Sequence, residues 1–128
     1  MNDTLYRQEL LDHYKYPRNK KEVANPTFNT AIDNPSCGDK IAMQGIVEDK
    51  KIIDLGFAGS GCVISQAAAS MLTEHCIGKD VHTVLAMTKD DIIALLGITL
   101  GPARLRCALI SLEVLQQGPP PRGISDWG

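Results

Sequence analysis

The stretch IIDLGFAGSGCVISQAAASMLTEHCIG, residues 52–78, decides the fold. Apolar residues alternate with others over residues 53–57, which predicts a strand with one face toward the core. The glycine-rich triplet at 59–61 breaks this strand. Residues 62–77 then follow a helical pattern, and Gly78 is a typical C-terminal cap. Because many side chains in this segment are small, the predicted helix suits close packing on a sheet.

The segment before this stretch supplies the rest of the predicted sheet. Residues 41–47 alternate in the same way, and residues 48–51 provide a polar turn. These features predict an antiparallel hairpin with residues 53–57. A weaker alternation over residues 28–32 adds a first strand. The sequence therefore predicts a small antiparallel sheet of three strands.

Helices are predicted both before and after the three strands along the chain. A first helix begins at residue 3 or 4, runs to about Tyr14 and is stopped by Pro17. Short helices are predicted over residues 80–86 and after Thr88, where Asp91 completes a capping box.

A last helix has Pro102 at a plausible first position and ends at Gly118. Its helical spacing predicts an inward face made of four leucines, Leu105, Leu109, Leu112 and Leu115. Strands come early and helices dominate later, so the fold class is predicted as α+β, with helices packed on one face of the sheet.

Length and composition favour one domain. The chain has 128 residues, and its contents of 44% hydrophobic and 22% charged residues are those of a globular protein rather than a disordered one. Residues 1–118 are predicted to form the domain. Residues 119–128 form a Pro-rich tail without periodicity, which is expected to be disordered, with Trp127 unpacked.

Charge and hydropathy exclude several classes of function. The net charge is −2, and the densest basic cluster is a short one within residues 15–21, so binding to nucleic acid is not expected. The first ten residues are too charged for a signal peptide. The charge-free stretch over 55–73 is interrupted by glycine and polar residues, so no membrane span is expected. The chain is predicted to be cytoplasmic.

Four cysteines carry the functional signal: Cys37, Cys62, Cys76 and Cys107. Their spacing contains no C-x-x-C pair, so position is more informative than spacing. Cys37 lies in a predicted loop two residues before Asp39, where a thiolate and a carboxylate can converge. Cys62 opens a predicted helix, whose N-terminal end favours a thiolate. Cys107 follows two arginines that favour the thiolate in the same way.

A free cysteine is also commonly a small buried hydrophobic residue, and Cys76 fits that interpretation best. If Cys62 and Cys76 share one helix, they lie roughly 21 Å apart and cannot bind one metal. Two other classes stay open at this point. One is a thiol enzyme with a histidine base, although His13, His75 and His82 are not beside a cysteine in sequence. The other is a purely structural zinc domain.

Four ordered motifs resemble the NifU/IscU/SufU family of iron-sulfur cluster assembly proteins. The segment LYRQELLDHYKYPRN resembles the opening helix of that family, and NPSCGD, FAGSGCVISQAAASM and PARLRC resemble its three cysteine segments in order. Together the motifs span about residues 4 to 118. Chance agreement of four ordered motifs is very improbable.

The resemblance implies that Cys37, Cys62 and Cys107 meet at one exposed end of the domain with Asp39. It implies a zinc ion or a [2Fe-2S] or [4Fe-4S] cluster held by these four residues. Three soft thiolates with one oxygen ligand suit either group and leave a labile site.

The resemblance also implies a cysteine desulfurase of the SufS or IscS type as sulfur donor, and apo-proteins of the iron-sulfur pathway as recipients. Cys37 is then the sulfur acceptor. The chain is expected to be a scaffold or sulfurtransferase partner rather than a stand-alone enzyme.

Two segments point to the SufU type within this family. In IscU-type members the last cysteine lies in the pattern K-x-H-C, whereas this chain has Arg106 before Cys107. Those members also carry LPPVK before this cysteine, where this chain reads LGPAR over 100–104. SufU-type chains usually carry an insertion before this segment, for which the gap from Cys62 to Cys107 leaves no room. The chain is therefore identified as similar to the SufU type without its insertion.

Overall fold

The computed structural model describes residues 3–34 and 38–119. Three antiparallel strands form one sheet in the order β1-β2-β3: β1 (Phe28–Asn34), β2 (Asp39–Glu48) and β3 (Lys51–Ser60). The helices of the described residues are α1 (Asp3–Lys15), α2 (Val63–Cys76), α3 (Val81–Leu85), α4 (Lys89–Leu96) and α5 (Pro102–Gln117). The predicted α+β class with a three-stranded antiparallel sheet is confirmed.

The turn between β2 and β3 explains the register of the hairpin. Asp49 and Lys50 both have positive φ angles, 53° and 65°, as a two-residue turn that matches the twist of the strands requires. The register pairs Met43 with Phe57, which places both side chains on the buried face. An irregularity between Ile46 and Val47 shifts the pairing near the turn.

One face of the sheet is covered by helices, as predicted. Along β2, the buried Ile41 and Met43 alternate with the more exposed Lys40 and Ala42, the pattern of a strand with one face on the core. Helix α2 lies at the centre of this core and contacts the sheet, α1, α4 and α5. Its run of three buried alanines, at 67–69, allows this close approach.

The inward face of α5 differs from the predicted one. Leu112 and Leu115 are buried, but Leu105 and Leu109 are only half-buried. The buried positions of this helix are Cys107, Ala108, Ile110, Ser111, Leu112, Val114 and Leu115. Because Ala108 and Ser111 are small, α5 lies close to α2, and the larger leucines at 105 and 109 lie at the margin of the contact.

Several other sequence predictions agree with the described elements. Pro17 follows the end of α1, the capping box of Thr88 and Asp91 is present at the start of α4, and Gly78 has a φ of 91° after α2. Within residues 3–34 and 38–119, no helix combines the length and the apolar character needed to cross a membrane. Residues 120–128, nearly all of the predicted tail, lie outside the described residues.

Candidate metal centre

Three elements meet at the end of the sheet that lies opposite the β2–β3 turn. Asp39 is the first residue of β2, and Cys62 follows two residues after the end of β3. Cys107 lies in the second turn of α5. One ligand atom from each of these residues lies within 4.8 Å of the other two. The fold therefore brings one carboxylate and two thiols together from segments far apart in sequence.

The three side chains differ in their access to solvent. Asp39 is fully buried and Cys107 is 8% exposed, whereas Cys62 is exposed. A buried carboxylate beside two thiols is costly unless it is satisfied by hydrogen bonds or by a cation. The site thus has a fixed inner side and an open outer side.

Asp39 is held by the backbone of the next cysteine segment. Its Oδ1 accepts a hydrogen bond from the backbone N–H of Cys62 at 2.8 Å, and Cys62 Sγ lies 3.7 Å from its Oδ2. Gly61 has a φ of 140°, and a methyl group at this position would overlap the Asp39 carboxylate. Only glycine meets both the backbone and the space requirement.

Cys62 is the N-cap of α2, as the sequence predicted. Its Sγ accepts a hydrogen bond from the backbone N–H of Ser65 at 3.4 Å, and the Ser65 hydroxyl donates to the Cys62 carbonyl at 3.1 Å. The first N–H groups of a helix lack partners within the helix, and here the Cys62 sulfur accepts one of them. This cap fixes the Cys62 sulfur on the side of the helix that faces Asp39.

The donor set fits zinc or iron. Two thiolates and one carboxylate within 4.8 Å match the ligand types that bind these metals, and a four-coordinate site needs one further ligand. Cys37, the fourth predicted site residue, lies outside the described residues. Among residues 3–34 and 38–119, no second group of three potential metal-binding side chains converges in this way.

Cys76 lies at the other end of α2 and has no part in this site. It is fully buried, its Sγ lies 3.7 Å from Met87 Sδ, and burial raises the pKa of its thiol to about 12. Because α2 is one continuous helix with Cys62 at its N-cap, the predicted separation of the two thiols is confirmed. Cys76 acts as a small hydrophobic core residue.

Within the part of the chain that the structure describes, no histidine joins the group formed by Asp39, Cys62 and Cys107, but His13 has a structural role that the sequence did not reveal. His13 is buried in α1, with its Nδ1 2.7 Å from Ser70 Oγ. Ser70 Oγ also accepts the backbone N–H of Arg18 at 2.8 Å, and His13 Nε2 faces Glu74 Oε1 at 3.7 Å, an arrangement that favours the tautomer protonated at Nε2, in which Nδ1 accepts from the Ser70 hydroxyl. Burial lowers the pKa of His13 below its ordinary value. The interaction ties α1 to α2, and a serine 57 residues away in sequence gave no local signal for it.

This small α+β domain, with two thiols and a carboxylate at one end of its sheet, has the architecture of a thiol-rich metal-binding domain. Residues 5–119 match the family described as NifU-like N terminal domain. The chain belongs to this family, which includes the iron-sulfur cluster assembly scaffolds and related sulfurtransferases to which it is similar.

The chain is similar both to a SufU protein and to an IscU protein. The chain is 41% identical to the zinc-dependent sulfurtransferase SufU of Bacillus subtilis (strain 168), over 91% of this chain and 90% of that protein. It is 35% identical to the iron-sulfur cluster assembly scaffold protein IscU of Aquifex aeolicus (strain VF5), over 86% of this chain and 71% of that protein.

A solved structure shares the fold. The crystal structure of a putative SUF-system scaffold protein from Fervidobacterium islandicum AW-1 has a TM-score of 0.72, with 23% identity over 91% of this chain and 98% of that one. This likeness confirms the fold, and the family resemblance seen in the sequence motifs is confirmed by the matched family.

The alignment with the Bacillus subtilis SufU contains gaps. It runs over 133 positions, more than the 128 residues of this chain, so the relative contains residues without a counterpart here. In the described structure, residues 97–101 connect α4 to α5. Gly97, with a φ of 70°, ends α4, and four residues later Gly101 is the N-cap of α5.

Proposed function

We propose that this chain is a zinc-binding sulfur-transfer protein of iron-sulfur cluster assembly that accepts sulfur from a cysteine desulfurase. The observation that carries the proposal is the convergence of Asp39, Cys62 and Cys107 within 4.8 Å. The similarity to a zinc-dependent sulfurtransferase supports zinc over a cluster as the resident group. Zinc keeps its thiolate ligands deprotonated without undergoing redox chemistry itself.

The ligand set of the proposal is Cys37, Asp39, Cys62 and Cys107. The last three are fixed by the fold, because Asp39 is buried at the start of a strand, Cys62 caps α2 and Cys107 is buried in α5. Cys37 precedes Asp39 by two residues in the segment between β1 and β2, so this segment can bring it to the same point. An oxygen ligand makes the site more labile than a fourth thiolate would.

Cys37 is the sulfur acceptor in this proposal. The other three ligands are each held by helix or strand contacts, so the proposal assigns release from the metal to Cys37. The Cys37 thiolate attacks the terminal sulfur of the desulfurase persulfide, which forms a new S–S bond at Cys37 and releases the desulfurase cysteine as a thiolate. One sulfur atom moves, and no external oxidant or reductant is needed.

The test is mass spectrometry of the zinc-loaded protein after incubation with a cysteine desulfurase and cysteine. We expect one added sulfur atom, mapped by peptide analysis to Cys37. Cys76→Ser is the matched control, because this cysteine is buried away from the site, and it should accept sulfur like the wild type. An adduct found chiefly on Cys62 or Cys107 while zinc is bound would contradict the assignment.

A further inference from the structure

A mostly apolar groove opens directly onto two of the candidate ligands. It has a volume of about 630 Å³ and lies between α1, the start of α2, the segment before α5 and α5 itself. Cys62 and Cys107 both line it. A cavity of this size and character can hold a small molecule, and its contact with the thiols places that molecule beside the sulfur chemistry proposed above.

The walls of the groove suit an aliphatic chain. Leu11 of α1, Ile64 of α2 and Leu100 of the α4–α5 connection line it together with Ala103. Leu11 is 40% exposed, so part of this apolar surface is in contact with solvent. Covering such a surface with an aliphatic ligand is favourable by roughly 25 cal/mol for each Å² removed from water.

Two arginines give the groove a positive charge. Arg7 and Arg104 line it, and neither forms an ion pair with any residue in 3–34 or 38–119. Among the other cations of these residues, Arg18 pairs with Asp12 and Lys21 with Asp54, whereas most lysines also lack an ion pair, so Arg7 and Arg104 are set apart by lining the groove together. Guanidinium groups bind carboxylates with matched geometry, so the ligand that complements this groove is an anion.

We infer that this groove binds an aliphatic thiol carrying a carboxylate, which takes over the sulfur delivered to the protein. The inference rests on the function proposed above and names the class of acceptor. The carboxylate binds Arg7 and Arg104, the chain covers the apolar wall, and the thiol lies at the end lined by Cys62 and Cys107.

The transfer step balances without a further reactant. The acceptor thiolate attacks the outer sulfur of the Cys37 persulfide, so a new S–S bond forms on the acceptor and the S–S bond at Cys37 breaks. Cys37 leaves as a thiolate, and the acceptor carries the terminal S–H. The sulfur atom keeps its oxidation state.

The experiment uses the full chain, loaded with zinc and then with sulfur by a desulfurase that is removed afterwards. Two probes, 6-mercaptohexanoate and 6-mercapto-1-hexanol, differ in charge six carbons away from the same thiol. Loss of the Cys37 persulfide is followed by intact-protein mass spectrometry, and binding of the unreactive hexanoate is followed by NMR. We expect the rate of persulfide loss to saturate with increasing concentration of the anionic thiol. At low concentration it should be about tenfold higher than with the neutral thiol, a ratio that corresponds to the free energy of a hydrogen bond to a charged group.

Matched variants locate the effect. Arg7→Gln and Arg104→Gln should each remove most of the preference for the anionic probe, and Leu11→Gln should weaken both probes. Lys15→Gln, which removes an exposed cation of the same helix outside the groove, should leave the preference unchanged.

Equal rates for the two probes in the wild type would overturn the inference. The inference would also be overturned if the arginine variants slowed sulfur transfer from the desulfurase to the chain but not sulfur transfer from Cys37 to the probes. The groove would then be a binding site for the desulfurase. A chain that never forms the Cys37 persulfide would instead contradict the proposed function.

Discussion

The two ends of α2 carry the same side chain in opposite environments. Cys62, at the N-cap, is exposed and lies 3.7 Å from the Asp39 carboxylate, whereas Cys76, in the last turn, is fully buried against Met87. The backbone N–H of Ser65 donates to the sulfur at the first position, and burial raises the pKa of the thiol at the second to about 12. Position in the fold, not residue type, decides which cysteine can do metal or sulfur chemistry.

The largest expected effect comes from replacing cysteines at the two ends. Cys62→Ser and Cys107→Ser should each lower zinc affinity by orders of magnitude, because a serine hydroxyl is a hard ligand that stays protonated at neutral pH. Cys76→Ser should retain one zinc per chain. Metal analysis of anaerobically purified protein measures both results, and stoichiometric zinc in Cys107→Ser would show that Cys107 is not a ligand.

Two glycines at the ends of α2 give a second comparison. Gly61→Ala and Gly78→Ala both place a side chain at positive φ, which costs about 1–3 kcal/mol of stability each. Only at Gly61 would the methyl group overlap the Asp39 carboxylate, since nothing lies within 4 Å at Gly78. Zinc affinity, measured by competition with a chromophoric chelator, should therefore fall about tenfold or more in Gly61→Ala alone. Equal affinities for the two variants would mean that the Asp39 position is not needed for binding.

Local patterns in the sequence were enough for most of the fold. Period-two alternation predicted the hairpin, small residues and Gly78 predicted α2, and Thr88 with Asp91 predicted the start of α4. The distance between Cys62 and Cys76 followed from helical rise alone.

The site could not be derived from local patterns. Periodicity shows which face of a helix is buried but not which elements become neighbours, so the approach of Cys107 to Asp39 and Cys62 followed only from the family resemblance. The same limit hid the contact of His13 with Ser70, and it placed Leu105 and Leu109 too far inward. Each of these features depends on packing between segments that are distant in sequence.

The buried C-terminal end of α2 should tolerate a smaller side chain with a modest loss of stability. Cys76→Ala removes one buried sulfur atom and its contact with Met87, which should lower the free energy of unfolding by about 1 kcal/mol. His75→Ala, at the adjacent exposed position, should stay within about 0.5 kcal/mol of the wild type. Chemical unfolding of the zinc-loaded proteins gives both values. A larger loss at position 75 than at position 76 would contradict the core assignment.

The smallest expected effect is a pH dependence of the free energy of unfolding. It arises midway along α2, where Ser70 forms a hydrogen bond with His13 of α1. Burial and the nearby Arg18 lower the pKa of His13 below its ordinary 6.5, while Glu74 partly opposes them. The unfolded chain therefore binds the proton more readily than the folded one. This contribution to stability is complete above pH 6.5 and is lost progressively as the pH falls below that value.

The variant that isolates this contribution is His13→Asn, whose side-chain oxygen can still accept from Ser70 but does not titrate. Urea unfolding at several pH values from 7.5 down to 5 should show the wild type losing more stability on acidification than the variant. Any release of zinc by acid affects both proteins and cancels in the difference. Parallel curves for the two proteins would mean that His13 keeps its ordinary pKa in the fold, and that the link between α1 and α2 is insensitive to pH.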